Sequence, residues 1–222
     1  MTTLVGLLGY PVEHSRSPAM HNAAFEELGL DWRYEAIAVE PERFEATVGE
    51  LCVRGFAGVN VTIPHKLRAL ELADSVDSVA RAVGAANTLT FTVQGTAADN
   101  TDVQGFLAAL RERVPEAPRG MSALVLGAGG AARAVVYALA SERAASVRVW
   151  NRHAERAREL VADLGPHAGT AALEAVSEPG VAGTDLVVNA TAVGMAGIPD
   201  GDAAGAGRTG AADFKDLGFY GT

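Results

Sequence analysis

Three short polar segments contain most of the residues in this chain that could do chemistry. They read Ser-Arg-Ser at residues 15–17, Asn-Val-Thr-Ile-Pro-His-Lys at residues 60–66 and Asp-Asn-Thr-Asp at residues 99–102. Each follows an apolar, strand-like run, so we expect their hydroxyl, amide, ammonium and carboxylate groups to gather in one half of the protein. Groups of these types suit a small, hydroxylated, anionic ligand, and we predict a binding site for one.

Lys66 lies at the end of a predicted strand. Apolar and polar residues alternate over residues 59–63, a pattern that predicts a strand with Asn60 and Thr62 on one face. Pro64 removes a ladder donor and ends the strand. Lys66 would then lie where strand gives way to helix, a usual location for a functional side chain. By itself, this position also fits a solvated lysine in the first turn of a surface helix.

A glycine-rich turn marks the second half of the chain. The predicted strand 122–126 runs directly into Gly-Ala-Gly-Gly-Ala-Ala-Arg at residues 127–133 and then into a helix. This order of strand, glycine turn and helix presents free backbone N–H groups to a pyrophosphate. The spacing departs from the common G-x-G-x-x-G because Ala132 takes a glycine position, and Gly-Ala turns also serve merely to pack a helix on a strand. We predict a dinucleotide site at this turn.

The end of the next predicted strand favours NADP over NAD. NAD-binding domains tend to place an acidic residue there for the ribose hydroxyl. This chain instead has Asn151 and Arg152, with Arg156 one helical turn later. Two guanidinium groups suit a 2′-phosphate through bidentate, charge-assisted hydrogen bonds. We therefore expect NADP as the cofactor.

Composition and charge restrict the classes of partner. The net charge of −9 argues against a general affinity for nucleic acid or anionic membranes. The 49% apolar content suffices for a packed core, and no run of about 18 apolar residues predicts a spanning helix. Cys52 is the single cysteine and has apolar neighbours, so we expect no disulfide, no zinc site and a reducing, cytoplasmic compartment.

Two prolines and a glycine interrupt the helical periodicity at residues 114–120 and divide the chain into two halves. Before this break we predict strands at 4–8, 32–39, 59–63 and 88–93 and helices at 18–28, 41–53, 67–73 and 103–113. After it we predict strands at 122–126, 147–150 and 186–189 and helices at 131–141 and 154–164. Strands that alternate with helices indicate the α/β class.

A series of motifs resembles the shikimate dehydrogenase family, in the family's order, over residues 4–195. They are GYPVEHSRSPAMHN, NVTIPHK, GAANT, DNTD, GAGGAAR, NRH and NATAVGM. The resemblance implies an N-terminal α/β substrate domain at residues 1–103, a Rossmann-like doubly wound NADP-binding domain at residues 104–222, and an active site in the cleft between them. It implies reversible hydride transfer between NADPH and 3-dehydroshikimate to give shikimate, in chorismate and aromatic amino acid biosynthesis. A monomer and a homodimer both remain open.

The resemblance also assigns roles to residues. Lys66 and Asp102 match the family's catalytic pair: Lys66 would stabilise charge on the reacting oxygen and deliver a proton, and Asp102 would orient the ammonium. The implied substrate-binding residues are Ser15 and Ser17 for the carboxylate, with Thr62 and Asn87 for the ring hydroxyls. The implied cofactor-binding residues are Gly127, Ala128, Gly129, Gly130, Ala131, Asn151, Arg152, His153, Arg156 and Thr191.

Structural explanations for several of these residues stay open. Asp102 is also placed to be the N-cap of a helix that starts at Val103, and Asn87 to be a turn residue. Ser15 and Ser17 are placed to cap the helix that follows them. The match gives no catalytic role to the three histidines of the first half, which we interpret as positioning or packing residues; they are His14, His21 and His65.

The chain departs from the family's pattern in its C-terminal part. Beyond residue 195 the match decays, Tyr220 is the candidate for a substrate-side tyrosine, and a segment with a substrate-contacting glutamine is absent. Val103 stands where a glycine is usual, and His153 where a threonine is frequent. We therefore expect the substrate site of the chain as given to lack part of one wall, either as a fragment with reduced activity or because another chain supplies the rest.

Two other functions stay open. One is a quinate or aminoshikimate dehydrogenase, although Arg152 disfavours an NAD-linked quinate enzyme. The other is a catalytically impaired, ligand-binding relative, which the missing segment suggests. Lys66 and Asp102 argue against the second, because a silent protein has no chemical need for that pair.

Overall fold

Ten strands and seven α-helices alternate along residues 1–193, the part of the chain that this computed structural model describes. The strands are β1 Thr3–Gly9, β2 Trp32–Ala38, β3 Phe56–Val61, β4 Ser75–Val76, β5 Thr88–Thr92, β6 Gly95–Asp99, β7 Ser122–Leu126, β8 Ser146–Trp150, β9 Ala172–Val176 and β10 Leu186–Asn189. The helices are α1 Ser17–Glu27, α2 Phe44–Val53, α3 Lys66–Leu72, α4 Ser78–Val83, α5 Asp102–Arg113, α6 Gly130–Ser141 and α7 Ala154–Leu164.

The first sheet has six strands in the order β2-β1-β3-β5-β6-β4. β1 pairs in parallel with β2 and β3, whereas the β3–β5 and β5–β6 pairs are antiparallel. The register places Thr88 of β5 opposite both Asn60 of β3 and Asp99 of β6. The end of β3, the start of β5 and the end of β6 therefore lie at one edge of the sheet. The polar segments that follow β3 and β6 meet at that edge.

One face of this sheet packs against α2. The buried residues of α2 are Phe44, Val48 and Leu51, a spacing that puts them on one side of a helix. They pack with Leu8 and Leu89, among others, in a single core cluster. Burial of one such side chain contributes about 1.5–3 kcal/mol, so this cluster holds the strands that carry the polar segments.

The second sheet is parallel, with four strands in the order β10-β7-β8-β9. Helix α6 is largely buried, and α7 packs with Ala157, Leu160 and Leu164 inward. Parallel pairing brings the carboxyl ends of β10, β7 and β8 to the same edge. In open α/β sheets, ligands bind in the crevice outside those ends.

Helix α5 lies between the two sheets. Val103 and Leu107 are buried against Ala134 and Ala138 of α6 and against Val83 of α4. The boundary that we predicted after residue 103 falls in the first turn of this helix, and the division into domains stays a prediction.

Most predicted elements agree with the structure, and β7, α7 and β10 have the predicted bounds. The predicted strand 59–63 ends early, at Val61, because β5 begins at Thr88 and no β5 residue lies opposite Thr62. Residues 41–43 form a 3₁₀ turn before α2. The sequence patterns did not predict β4, α4, β6 and β9. Apart from α4, these are short strands with few β-branched or aromatic residues.

No described helix is long and apolar enough to cross a membrane. Residues 1–193 also contain no group of three or more His, Cys, Asp and Glu side chains placed to hold a metal ion. Tyr220 lies outside the described residues.

His65 is fully buried immediately before α3. Its ring stacks on Phe44 with centroids 4.5 Å apart, and Nε2 lies 2.7 Å from the carbonyl oxygen of Val39. Nδ1 has no hydrogen-bond partner among the described residues. Burial lowers the pKa of His65, with a further lowering by Arg68, against raising effects of the Val39 carbonyl and Glu45. The folded protein therefore holds a neutral imidazole that donates from Nε2.

This imidazole makes stability depend on pH. The unfolded chain binds a proton at His65 near pH 6.5, whereas the folded chain resists it. The contribution of His65 to the free energy of unfolding should therefore be complete above about pH 6.5. It should fall as the pH drops, by up to about 1.4 kcal/mol per pH unit. In urea unfolding between pH 8 and 5, the free energy of unfolding of His65→Phe should depend less on pH than that of the wild type. The Val39 carbonyl that this variant leaves unbonded lowers its stability by about 1 kcal/mol at every pH.

His14→Phe is the control, at an exposed position, and should keep the wild-type slope. Equal slopes for wild type and His65→Phe would contradict this assignment.

Candidate active site

Lys66 and Asp102 form an ion pair, with Lys66 Nζ 2.5 Å from Asp102 Oδ2. Lys66 is the first residue of α3 and Asp102 the first residue of α5. Their side chains are 12% and 30% exposed, so both are partly shielded and still accessible from one side. An ammonium held in this way can donate a proton to an oxygen placed beside it.

Asn87 holds the other oxygen of that carboxylate. Its Nδ2 donates to Asp102 Oδ1 at 2.8 Å and to Thr101 Oγ1 at 2.9 Å. Its Oδ1 accepts from the backbone N–H of Thr101 at 2.9 Å and from the Thr88 hydroxyl at 3.1 Å. Asn87 is buried, and its own backbone pairs with Val61 and Asp99. Asn87 is therefore more than a turn residue, because its amide fixes the orientation of the Asp102 carboxylate.

Asp102 is not the N-cap of α5. The helix begins at Asp102 itself, its N-cap is Thr101, and that residue makes no side-chain capping bond. The backbone N–H of Asp102 is instead satisfied by Asn100 Oδ1 at 3.1 Å, while Asn100 Nδ2 donates to Ala85 O at 2.8 Å. The predicted alternative, in which Asp102 is the N-cap of this helix, is thus wrong. Because Asn100, to which the motifs assigned no role, satisfies this N–H, the Asp102 carboxylate is free to face Lys66.

Ser15, Ser17 and Thr62 lie on the segments beside this pair. Ser15 Oγ accepts from the N–H of Ser17 at 3.2 Å, but the N-cap of α1 is Arg16, not Ser15 or Ser17, and it makes no side-chain capping bond. Thr62 packs so closely on Gly9 that a Cβ there would lie 2.4 Å from Thr62 Cγ2. Thr62 O also accepts from His65 N at 2.9 Å, in the turn that leads to Lys66.

The motifs did not point to Tyr34 and assigned no separate role to Asn60. The Tyr34 hydroxyl donates to Asn60 Oδ1 at 2.7 Å, and Asn60 Nδ2 donates to Thr88 Oγ1 at 3.1 Å. Tyr34 lies on β2, at the edge of the sheet, and the strand pairing that brings it near β3 is not local. Its position between Arg33 and Glu35 in this strand gave no signal of the contact.

The predicted cofactor residues gather at the carboxyl ends of three neighbouring parallel strands. Residues 127–131 follow β7, residues 151–153 follow β8, and Thr191 follows β10. Gly127 has φ +114, and a Cβ on it would lie 2.8 Å from Ala190 O, so this turn requires glycine. At Gly129 no neighbouring atom lies within 4 Å of a Cβ position. The N-terminus of α6 therefore faces open space in which its free N–H groups can bind an anion.

Arg152 and Arg156 are exposed at the start of α7. His153 is the N-cap of this helix and Asn151 Nδ2 donates to His153 O at 3.0 Å, which fixes the turn after β8. Arg156 N in turn donates to His153 O at 3.0 Å. Both residues thus lie near the end of β8, where a dinucleotide's ribose is expected.

The glycine turn touches the ion pair. A Cβ on Gly130 would lie 2.7 Å from Lys66 Cβ and 3.0 Å from Lys66 Cδ. The first residue of α6 therefore packs against the aliphatic stem of the lysine. The structure brings the two predicted sites, the polar cluster of the first sheet and the glycine turn of the second, into direct contact.

This architecture, a polar cluster against the glycine turn of a parallel sheet, is that of a dinucleotide-dependent oxidoreductase. The family model described as "Shikimate dehydrogenase substrate binding domain" matches residues 7–89, and "Shikimate / quinate 5-dehydrogenase" matches residues 110–209. The shikimate dehydrogenase (NADP(+)) of Methanopyrus kandleri is 48% identical over 200 residues, which are 87% of this chain and 69% of that protein. The chain belongs to the shikimate dehydrogenase family, as its motifs predicted.

Solved structures agree with this assignment. Shikimate 5-dehydrogenase from Thermus thermophilus, in complex with NADP(H) and shikimate, has a TM-score of 0.75 at 41% identity, covering 86% of this chain and 69% of that one. Quinate dehydrogenase from Corynebacterium glutamicum, in complex with NAD, has a TM-score of 0.78 at 33% identity, covering 89% and 73%. The predicted fold class is confirmed. The chain spans about two thirds of the length of the curated relatives it matches, 69% and 66% for the first two.

The contact between Gly130 and Lys66 can be tested by adding one methyl group. Gly130→Ala should push the Lys66 stem or the turn aside, and displacement of a catalytic group by about 1 Å costs up to roughly a hundredfold in rate. We expect a lower melting temperature without cofactor and a fall in kcat. Gly129→Ala is the matched variant: its backbone, at φ −88 and ψ −172, accepts any residue, so the melting temperature should not change.

The two alanine variants should therefore separate two effects. A methyl group at Gly129 points into the space proposed for the pyrophosphate and should raise the KM for NADP. Unchanged stability and kcat in Gly130→Ala would show that this packing does not position Lys66.

Proposed function

We propose that this chain carries an NADP-dependent shikimate dehydrogenase site, which interconverts 3-dehydroshikimate and shikimate. The observation that supports it most is the Lys66–Asp102 ion pair against the Gly130 turn, because it puts a proton donor beside a dinucleotide crevice. The names of the relatives point to the same activity. A cytoplasmic location, residues 1–103 and 104–222 as substrate and cofactor domains, and a monomeric or homodimeric state are parts of the same proposal.

The chain's own residues fit NADP. The proposed contacts are the N–H groups of residues 127–131 for the pyrophosphate, with Asn151, His153 and Thr191 at the neighbouring strand ends. Arg152 and Arg156 would bind the 2′-phosphate, in place of the acidic residue that NAD-binding turns tend to carry. NADPH, when bound, supplies the hydride.

Lys66 and Asp102 perform the proton chemistry in this proposal. When a carbonyl of the substrate is reduced, negative charge grows on its oxygen, and the Lys66 ammonium stabilises that charge and donates the proton. Asp102 keeps the ammonium in place through Oδ2, while Asn87 prevents the carboxylate from rotating. In the reverse direction, Lys66 accepts the proton of the substrate hydroxyl.

Four further side chains are proposed to bind the substrate. Ser15 and Ser17 precede and begin α1, where hydroxyl donors and free helical N–H groups suit a carboxylate. Thr62 precedes the turn that leads to Lys66, and Asn87 is bonded to Asp102, the partner of Lys66. We propose that both bind ring hydroxyls.

Quinate is the second candidate substrate, because one family model and one similar structure carry that name. Steady-state assays of the 222-residue chain should compare shikimate with quinate and NADP with NAD. We expect the highest kcat/KM for shikimate with NADP. A higher value for quinate with NAD would replace this proposal.

The role of Lys66 predicts a loss of rate rather than of binding. Lys66→Met keeps the stem that packs on Gly130 and removes the ammonium, so kcat should fall by roughly 10²–10⁴-fold. Shikimate should still bind in calorimetry, because the lost interaction is made chiefly in the transition state. Arg81→Met, a similar loss of an exposed cation on α4, should leave kcat unchanged. More than a few per cent of wild-type kcat in Lys66→Met would remove Lys66 from the acid/base role.

The role of Arg152 predicts a change in cofactor selectivity. Arg152→Ala should raise the KM for NADP at least about tenfold, the value of one charge-assisted hydrogen bond, and hardly alter the KM for NAD. Arg158→Ala removes a cation farther along the same helix, where it pairs with Glu155. Arg158→Ala should change neither the KM for NADP nor the KM for NAD. An equal rise of the KM for both cofactors would instead indicate damage to the turn after β8.

A further inference from the structure

Tyr34 lies between α1 and the strand that leads to Lys66. Its hydroxyl donates to Asn60 Oδ1 at 2.7 Å, and Asn60 lies near the end of β3. Ser17, the first residue of α1, lies close enough to the phenol to affect its pKa. One phenol oxygen is therefore bonded to the strand that leads to Lys66, beside the start of α1.

The ring of Tyr34 is itself fixed by α1. Tyr34 is 5% exposed, and His21 stacks on it with centroids 4.4 Å apart and planes 11° apart. Asn22 makes two bonds to its backbone: Nδ2 donates to Tyr34 O at 3.0 Å, and Tyr34 N donates to Oδ1 at 2.8 Å. The side-chain amide of Asn22 thus pairs with the backbone of Tyr34 on the edge strand β2, in the way that a neighbouring strand would. The hydroxyl of Tyr34 thus has one position.

From Tyr34, hydrogen bonds run in one direction to the carboxylate of Asp102. Tyr34 donates to Asn60, and Asn60 Nδ2 donates to Thr88 Oγ1 at 3.1 Å. Thr88 donates to Asn87 Oδ1 at 3.1 Å, and Asn87 Nδ2 donates to Asp102 Oδ1 at 2.8 Å. Each group donates onward and accepts from the group before it, an arrangement in which the bonds strengthen one another.

We propose that Tyr34 is a positioning residue for the reaction. Through Asn60, Thr88 and Asn87 its hydroxyl fixes the orientation of the Asp102 carboxylate. This inference rests on the proposed function, and it adds a residue that touches neither the cofactor turn nor Lys66.

Tyr34 is a hydrogen-bond donor at every working pH. Burial raises the pKa of Tyr34 to about 12, against a smaller lowering by the hydrogen bond from Ser17. The phenol therefore keeps its proton and takes no part in acid/base transfer. Its role is geometric.

Tyr34→Phe removes this hydroxyl and keeps the stacked ring. In the steady-state assay of the full chain, kcat should fall about threefold to tenfold, as expected for one buried hydrogen bond. The KM for NADP should not change. Tyr137→Phe, a half-buried tyrosine on α6, is the matched control and should change neither kcat nor the KM for shikimate.

A double mutant separates positioning from a general loss of structure. In an Asn60→Ala background the route to Asp102 is already cut, so adding Tyr34→Phe should cause no further fall in kcat. Losses of kcat that multiply would overturn the proposal.

Side-chain amide resonances of the ligand-free chain provide a readout that does not depend on activity. Tyr34→Phe should shift the Nδ2 protons of Asn60 and Asn87, whereas Tyr137→Phe should not. An unmoved Asn87 resonance would overturn the positioning role even if the enzyme turns over shikimate. A wild-type chain without turnover would overturn the proposed function, while a shifted Asn87 resonance in the same samples would still support the control of Asn87 by Tyr34.

Discussion

The ion pair between Lys66 and Asp102 is the constraint on which the rest of the site depends. Two partly buried charges lose hydration when they leave water, and their attraction offsets this cost only with good geometry and further hydrogen bonds. The structure supplies both: Asp102 has Lys66 on one oxygen and Asn87 on the other. The pair is possible because the antiparallel β3–β5–β6 register aligns the segments that follow β3 and β6 at one edge. A one-residue slip would turn their side chains to the opposite face.

The parallel sheet imposes the second constraint. Its strands end together, so the turns after β7, β8 and β10 form one crevice without any long-range recognition between them. Gly127 allows the crevice to be tight, because its backbone conformation and the nearby Ala190 carbonyl leave no room for a side chain. Gly130 then brings the crevice against the stem of Lys66. Lys66 and the glycine turn are adjacent for a steric reason, the absence of a Cβ on Gly130.

These two constraints explain what could be predicted from the sequence. The turn residues and the bounds of β7, α7 and β10 follow from local periodicity and from glycine, so the crevice at the ends of these strands was largely predictable. β6, with the sequence Gly-Thr-Ala-Ala-Asp, has little intrinsic preference for a strand and is formed by its pairing with β5. The contact of Tyr34 with Asn60 joins residues 26 positions apart through two strand pairings. No local pattern encodes it. Asn100 differs, because its Oδ1 accepts from the N–H of Asp102 two residues on, which is a local turn, and only its bond to Ala85 O is long-range.

Asn87 shows why structural and chemical roles cannot be divided in this site. Its backbone N–H and C=O join β6 to β3, through Asp99 and Val61, so the residue belongs to the sheet edge. Its side chain must accept from the Thr101 N–H and donate to the Asp102 carboxylate at the same time. An aspartate has no donor for the second bond and would add a negative charge beside Asp102. A leucine would leave both groups unsatisfied, and a glutamine is one methylene too long for both distances. Asparagine is therefore the side chain that this geometry requires, whether the position is regarded as part of the fold or as part of the reaction.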